Sequence, residues 1–315
     1  MYFPVAEIEV AFWVPLVAGF AVAFVCSMGG VSGANLLLPF QVSVLGFTTP
    51  AVSATNHLFN IVAIPSGVYR FIREGRMVWP LTWVVIAGTV PGVFVGVFAR
   101  VHFLPDPTHF RFFAGLVLLY IGVTMVRSLT KKSPPGADKN TAEKRFQELV
   151  RSFKAKDAAT REPLPRVAVH KFGLSRINYS FYGENISAPT MGIFTLSAIV
   201  GVVGGIYGIG GGAIIAPFFV AVFRLPVYTI AGACLMGTFI TSVVAALLYQ
   251  IIAPFYPHMA VAPDWLLGLM LGIGGMIGMY SGAWFQKYVP ALFIKWMLAS
   301  ILFFTGTRYI LSFVF

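Results

Sequence analysis

Gly29-Gly30-Val31-Ser32-Gly33-Ala34-Asn35-Leu36-Leu37-Leu38-Pro39-Phe40 interrupts one apolar run, and Tyr207-Gly208-Ile209-Gly210-Gly211-Gly212-Ala213-Ile214-Ile215-Ala216-Pro217-Phe218 interrupts another. Gly30, Gly33, Pro39 and Phe40 fall on Gly208, Gly211, Pro217 and Phe218 at a constant offset. A helix broken inside a bilayer frees backbone N–H and C=O groups, which is tolerated only where they line a cavity. Breaks at matching points of two halves therefore mark a substrate site, and the pattern says transporter.

The rest of the chain agrees. Its 315 residues are 58% hydrophobic and 10% charged, against about 25% charged in soluble domains. Stretches such as Val10 to Met28, Trp79 to Ala99, Phe110 to Val126, Met191 to Tyr207, Trp265 to Trp284 and Ala291 to Phe313 approach the roughly 20 apolar residues that cross a bilayer core. Glu7 and Glu9 stand where a cleaved signal would be basic, so the first apolar run is expected to remain as a span. Cys26 and Cys234 lie in apolar segments and read as small buried hydrophobes.

The net charge of +11 does not point to nucleic acid. Of the 22 Lys and Arg, twelve lie between Lys131 and Arg176, with six carboxylates between Asp138 and Glu184. This is the signature of a cytoplasmic loop under the positive-inside bias. It divides the chain into a first membrane repeat (1–130), a basic cytoplasmic loop (131–188) and a second membrane repeat (189–315). Within the loop, Ser133-Pro134-Pro135-Gly136 reads as a linker. Phe146, Leu149, Val150 and Phe153 follow at helical spacing, as on a short helix at the membrane surface. Alternation through Val167-Ala168-Val169-His170-Lys171-Phe172 and Ile177-Asn178-Tyr179-Ser180-Phe181-Tyr182, around Gly173, reads as a small β-hairpin or as an extended linker.

The halves match beyond the breaks. Gly88, Gly92, Gly96 and Arg100 answer Gly274, Gly278, Gly282 and Gln286, a small-residue stripe that lets helices approach closely. Charge then tests orientation. Arg70, Arg73 and Arg76 mark one loop as cytoplasmic, whereas the equivalent loop, 252–264, has no Lys or Arg. Lys287 and Lys295 point the next loop of the second half inward, while its counterpart from Arg100 to Arg111 falls outside despite its arginines. The fold class is thus an all-α polytopic membrane protein of two homologous halves. Charge favours an inverted repeat of five segments each, about 10–28, 33–46, 51–70, 79–100 and 109–128, then 189–207, 211–224, 227–251, 264–285 and 291–313, with both termini outside. The alternative makes the two short apolar runs re-entrant, with four spans per half and parallel repeats.

Charged side chains are nearly absent from these spans. Arg100, Arg127 and Arg308 sit near predicted ends and are expected to snorkel, and no buried carboxylate is available as proton relay or cation ligand. Unwound carbonyls remain able to coordinate Na⁺. What the breaks supply is donors: a helix starting at Gly33 or Gly211 has unpaired N–H groups and a positive dipole end, which suits a small oxyanion. Gly30, Ser32, Gly33, Ala34 and Asn35 form the first candidate cluster, and Tyr207, Gly208, Gly210, Gly211 and Gly212 the second. After the first break Ser53, Asn56, His57 and Asn60 share one helical face. Their equivalents are Ala231, Cys234, Leu235 and Thr238, with Thr241 one turn further. His57, the only histidine in a predicted span, is a candidate proton carrier or a hydrogen-bonded structural residue. No metal cluster, P-loop, nucleophile elbow or paired carboxylates occur, so neither an enzyme nor a cofactor is expected.

The Gly-rich turn, short apolar run, Pro-Phe and polar helix with Ala54-Thr55-Asn56, repeated as Gly208 to Pro217 and then Gly237-Thr238, resembles the TauE/SafE family of sulfite and organosulfonate exporters. The resemblance covers about 10–130 and 189–313, without the basic loop. It implies a secondary transporter of sulfite, sulfoacetate or a related sulfonate in a prokaryotic inner membrane, with Gly30 to Asn35, Asn56, Gly208 to Gly212 and Thr238 at the site. Proton-coupled alternating access is the leading expectation. The alternatives are a channel-like anion pathway, or a membrane scaffold or sensor acting through the central loop. The expected partners are a small anion and the lipid bilayer, with a homodimer left open.

Overall fold

The computed structural model describes residues 1–29, 32–73, 75–130, 167–181, 184–223, 225, 227–285 and 291–314. The proposed linker and surface helix between 131 and 166 lie outside the described residues. Among those described, eleven α-helices form: α1 (Trp13–Gly29), α2 (Ala34–Ser43), α3 (Ala51–Ala63), α4 (Pro65–Arg73), α5 (Trp79–His102), α6 (Pro107–Thr130), α7 (Thr190–Tyr207), α8 (Gly211–Ala221), α9 (Val227–Ile252), α10 (Trp265–Phe285) and α11 (Ala291–Val314). Six are long and apolar enough to cross a membrane, and α1 is a shorter apolar helix.

The segment expected as one span over 51–70 is two helices. Pro65 has no N–H to give and its ring crowds the preceding turn, so α3 stops at Ala63 and α4 starts afresh. Its counterpart α9 has no proline within and runs unbroken. The hairpin expected in the central loop is present and larger: β3 (Ala168–Phe172), β4 (Arg176–Phe181) and β5 (Glu184–Pro189) make a three-stranded antiparallel sheet. On β4 Ile177, Tyr179 and Phe181 are buried at period two. A second hairpin absent from the sequence reading, β1 (Tyr2–Phe3) with β2 (Ile8–Glu9), folds at the N-terminus.

Carboxylates fix two helix starts. Asp106 Oδ1 accepts from the N–H groups of Thr108 and His109 at the head of α6, which pulls its carboxyl below the usual range. Asp264 Oδ1 accepts from Leu267 N–H at the head of α10, and its Oδ2 reaches back to Val5 and Ala6 N–H.

The long helices pair reciprocally: α1 lies along α10, α5 along α7, and α6 along α11. The glycine stripes make the first two pairs possible. A Cβ on Gly92 would sit 2.2 Å from Ala198 O on α7, and one on Gly278 would sit 2.3 Å from Phe20 O on α1. These glycines are packing surface, as the four-residue spacing indicates.

Contacts also sort the connections between two ends of the bundle. At one end the N-terminal hairpin meets Asp264, Ala51 N–H donates to Ala260 O, and the ring of His109 at the head of α6 meets Phe313 at the tail of α11. At the other, Val167 N–H donates to Gly75 O, Tyr179 O–H donates to Thr229 at the start of α9, and Thr190 at the head of α7 bonds Ser175 and Gly173. The first half therefore begins at one end and the second half at the opposite end.

Candidate functional site

The two breaks converge. At the first, Gly33 caps α2 with helical torsions, and the Asn35 N–H turns back to Ser32 O at 3.1 Å. At the second, α7 ends as Gly208 takes φ +90°, Gly210 takes φ +76°, and α8 starts at Gly211. Both positive torsions lie where residues with a Cβ are strained, so the chain can reverse here only on glycine. Gly210 is also wedged against α9, a Cβ there lying 2.7 Å from Thr238 Cγ2 and 3.0 Å from Ser242 Oγ. Because α2 leads from its break toward the end holding Ala51, and α8 from its break toward the end holding Thr229, their N-termini face each other in the interior. Tyr207 O–H donates to Asn35 O at 3.0 Å across the gap.

The polar face of α3 binds the end of α7 and the turn that follows it. Ser53 Oγ donates to Ile206 O, Asn56 Nδ2 to Gly208 O and Asn60 Nδ2 to Ile209 O, each at 2.9 Å. Those carbonyls are the acceptors a helix C-terminus leaves without intrahelical partners. Asn56 Nδ2 also donates to Ala34 O at 3.1 Å, while its Oδ1 accepts from Gln41 at 3.4 Å. One amide thus holds both breaks and has no donor to spare.

His57 and Asn60 reach the other way. His57 Nδ1 lies 3.2 Å from Ser242 Oγ on α9, and Asn60 Nδ2 is 3.3 Å from the same oxygen. Both side chains are fully buried. Among the described residues Asn60 Oδ1, Asn35 Oδ1 and Gln41 Oε1 have no hydrogen-bond partner. Buried polar atoms seldom stay unpaired in a resting protein.

The remaining expected residues divide. Gly211 and Gly212 begin α8, where the first N–H groups precede the helix's own bonding ladder. A Cβ on Gly212 would lie 1.9 Å from Cys234 O, so the half-helix packs backbone to backbone on α9. Thr238 and Thr241 are buried, but their hydroxyls donate to Cys234 O and Gly237 O of their own helix, at 2.9 and 2.6 Å. Gly30 lies outside the described residues. Residues not singled out as site members are Gln41, Ser53, Ser242 and Tyr249, whose O–H donates to Gly205 O at 3.0 Å. Ser53 was visible on the polar face of α3. Ser242 lies one turn beyond Thr238 and could have been found by extending that face.

Arg100 corrects the sequence reading outright. Expected to snorkel, it is fully buried, because α5 continues to His102 and carries it inside the packed interface. That extension also brings His102 into a spanning helix, stacked on Phe98.

A family model described as sulfite exporter TauE/SafE matches residues 15–309. The match lies within the outer bounds of the two membrane blocks that carried the resemblance and runs through the central segment between them. No curated protein and no solved structure matches the chain.

Proposed function

The chain belongs to the TauE/SafE sulfite exporter family, and from that premise we propose that it is a secondary transporter moving a small sulfur oxyanion or sulfonate across the cytoplasmic membrane by proton-coupled alternating access. The observation that carries the reading is the meeting of two half-length helices by their N-termini, linked by Asn56 and Tyr207. Positive dipole ends converging from opposite sides favour an anion between them.

Three further features support the mechanism. The reciprocal pairs α1 with α10 and α5 with α7, and the start of each half at opposite ends, are what an inverted repeat produces. In such a repeat one half rocks against the other around a fixed central site. His57, held at Ser242 Oγ beside the second break, is the one titratable side chain of the α3 polar face and the candidate proton carrier. Finally, Arg70, Arg73 and Arg76 lie beside the end that carries the three-stranded sheet, as a cytoplasmic central loop requires.

The test is flux of radiolabelled sulfite in proteoliposomes with and without an imposed pH gradient. Saturable uptake, accelerated by sulfite on the far side and by the gradient, is the expected result. Movement of neither sulfite nor sulfonates above empty liposomes would overturn the proposal, and an ohmic, non-saturating current would replace the carrier with a channel.

A further inference from the structure

Arg100 is a fully buried cation without an anion. Its Nε donates to Ser53 Oγ at 3.3 Å, its Nη1 donates to Leu104 O, and its guanidinium carbon lies 3.7 Å from the centroid of the Phe110 ring. Nη2 has no partner. Among the described residues no carboxylate pairs with it. The buried one, Asp264, is committed to the N–H groups of Val5, Ala6 and Leu267, while Asp106 caps α6.

An uncompensated charge within a span is among the costliest arrangements a membrane protein can hold. The Leu104 carbonyl, the Phe110 face and the negative end of α5 offset part of that cost and fix the guanidinium in place. None of them supplies a full negative charge. Ser53, which accepts from Arg100, donates in turn to Ile206 O in the last turn of α7. The free edge of the guanidinium is thus one hydroxyl away from the second break.

We propose that Arg100 is a substrate-binding residue: its free Nη2 takes an oxygen of the sulfur oxyanion where the path meets the break, and the anion supplies the missing countercharge. The inference rests on the anion-transport reading. The position answering Arg100 in the second half is Gln286, so the cation serves one end of the path, the end at which α5 terminates.

The experiment measures sulfite binding by calorimetry to purified full-length protein in nanodiscs, for wild type, Arg100→Met, Arg100→Lys and the exposed control Arg308→Gln. Arg100→Met is expected to weaken binding at least about tenfold, about 1.4 kcal/mol, with Arg100→Lys intermediate and Arg308→Gln unchanged. The ligand-free melting temperature of Arg100→Met should stay level or rise, since a buried unpaired charge has been removed. Wild-type affinity in Arg100→Met would overturn the inference. If Arg100→Met does not fold, wild-type protein is titrated with methanesulfonate and with neutral methanesulfonamide. Equal affinity for the two would overturn it by showing that no cation is read. Absence of binding by wild type to any sulfur anion is a different result, and it strikes the transport reading itself.

Discussion

Asn56 donates to the carbonyl of Gly208 at 2.9 Å, joining the middle of α3 to the first left-handed residue after α7. The same nitrogen holds Ala34 O at 3.1 Å. One side chain belonging to neither half-helix thus ties both breaks, beside the bond from Tyr207 O–H to Asn35 O.

Replacing Asn56 tests that arrangement. Asn56→Ala takes the side-chain donor from two buried carbonyls, each such loss costing about 1–3 kcal/mol, and leaves Gln41 Nε2 only Leu37 O. Asn56→Asp keeps the shape but turns acceptor oxygens toward acceptor carbonyls. Both should abolish sulfite flux in proteoliposomes, and Asn56→Asp should melt no higher than Asn56→Ala. An aspartate variant as stable as wild type would show that the amide donors do not hold the breaks.

The glycine stripes give a paired prediction. Gly92→Ala and Gly278→Ala each push a methyl into a carbonyl of the facing helix, at 2.2 and 2.3 Å, and nothing in a backbone contact can yield without separating the helices. Both should lose folded protein in size-exclusion chromatography to a similar degree. Gly173→Ala, at a sheet turn whose nearest neighbour would be 3.9 Å away, should behave as wild type. Unequal severity of the first two would argue against the equivalence of the α5–α7 and α1–α10 contacts.

What sequence could show here depended on periodicity and on repetition. The breaks, the glycine stripes and nearly every span boundary were legible because glycine placement and apolar length act locally. The division at Pro65 was equally local, and a proline inside a long apolar run was the available signal. Asn56 was found as a polar residue on the right face, yet its role as a clamp depends on Ala34 and Gly208, which only the folded chain brings together. Arg100 was misread for a related reason. Its place near a predicted span end suggested escape to the interface, while the Phe110 ring and Ser53 hydroxyl that enclose it come from two other helices.

Asp264 links the N-terminal hairpin to the head of α10. Asp264→Ala removes a helix cap, about 0.5–2 kcal/mol, and also frees the N–H groups of Val5 and Ala6. The expected outcome is a lower melting temperature, together with rapid proteolysis ahead of Trp13. Asp264→Asn retains one acceptor oxygen and should fall between. A melting point unchanged in Asp264→Ala would remove the cap from the account of α10.

The sheet is fastened to the bundle by Tyr179, and pH reads that attachment. Its O–H donates to Thr229 Oγ1 at 2.9 Å, and burial pushes its pKa up to about 12. In the unfolded chain a tyrosine titrates near pH 10. The folded state therefore binds this proton more tightly, so the contribution of Tyr179 is complete below about pH 10 and is lost as pH rises toward about 12. At about 1.4 kcal/mol per unit of difference the full loss is on the order of 2–3 kcal/mol. Tyr179→Phe keeps the ring and removes the titration. Other tyrosines ionise in both proteins, so the informative quantity is the difference in melting temperature between wild type and Tyr179→Phe. It should be constant up to about pH 10 and shift in favour of the variant above it. Parallel curves throughout would mean that the phenol is not held protonated against Thr229.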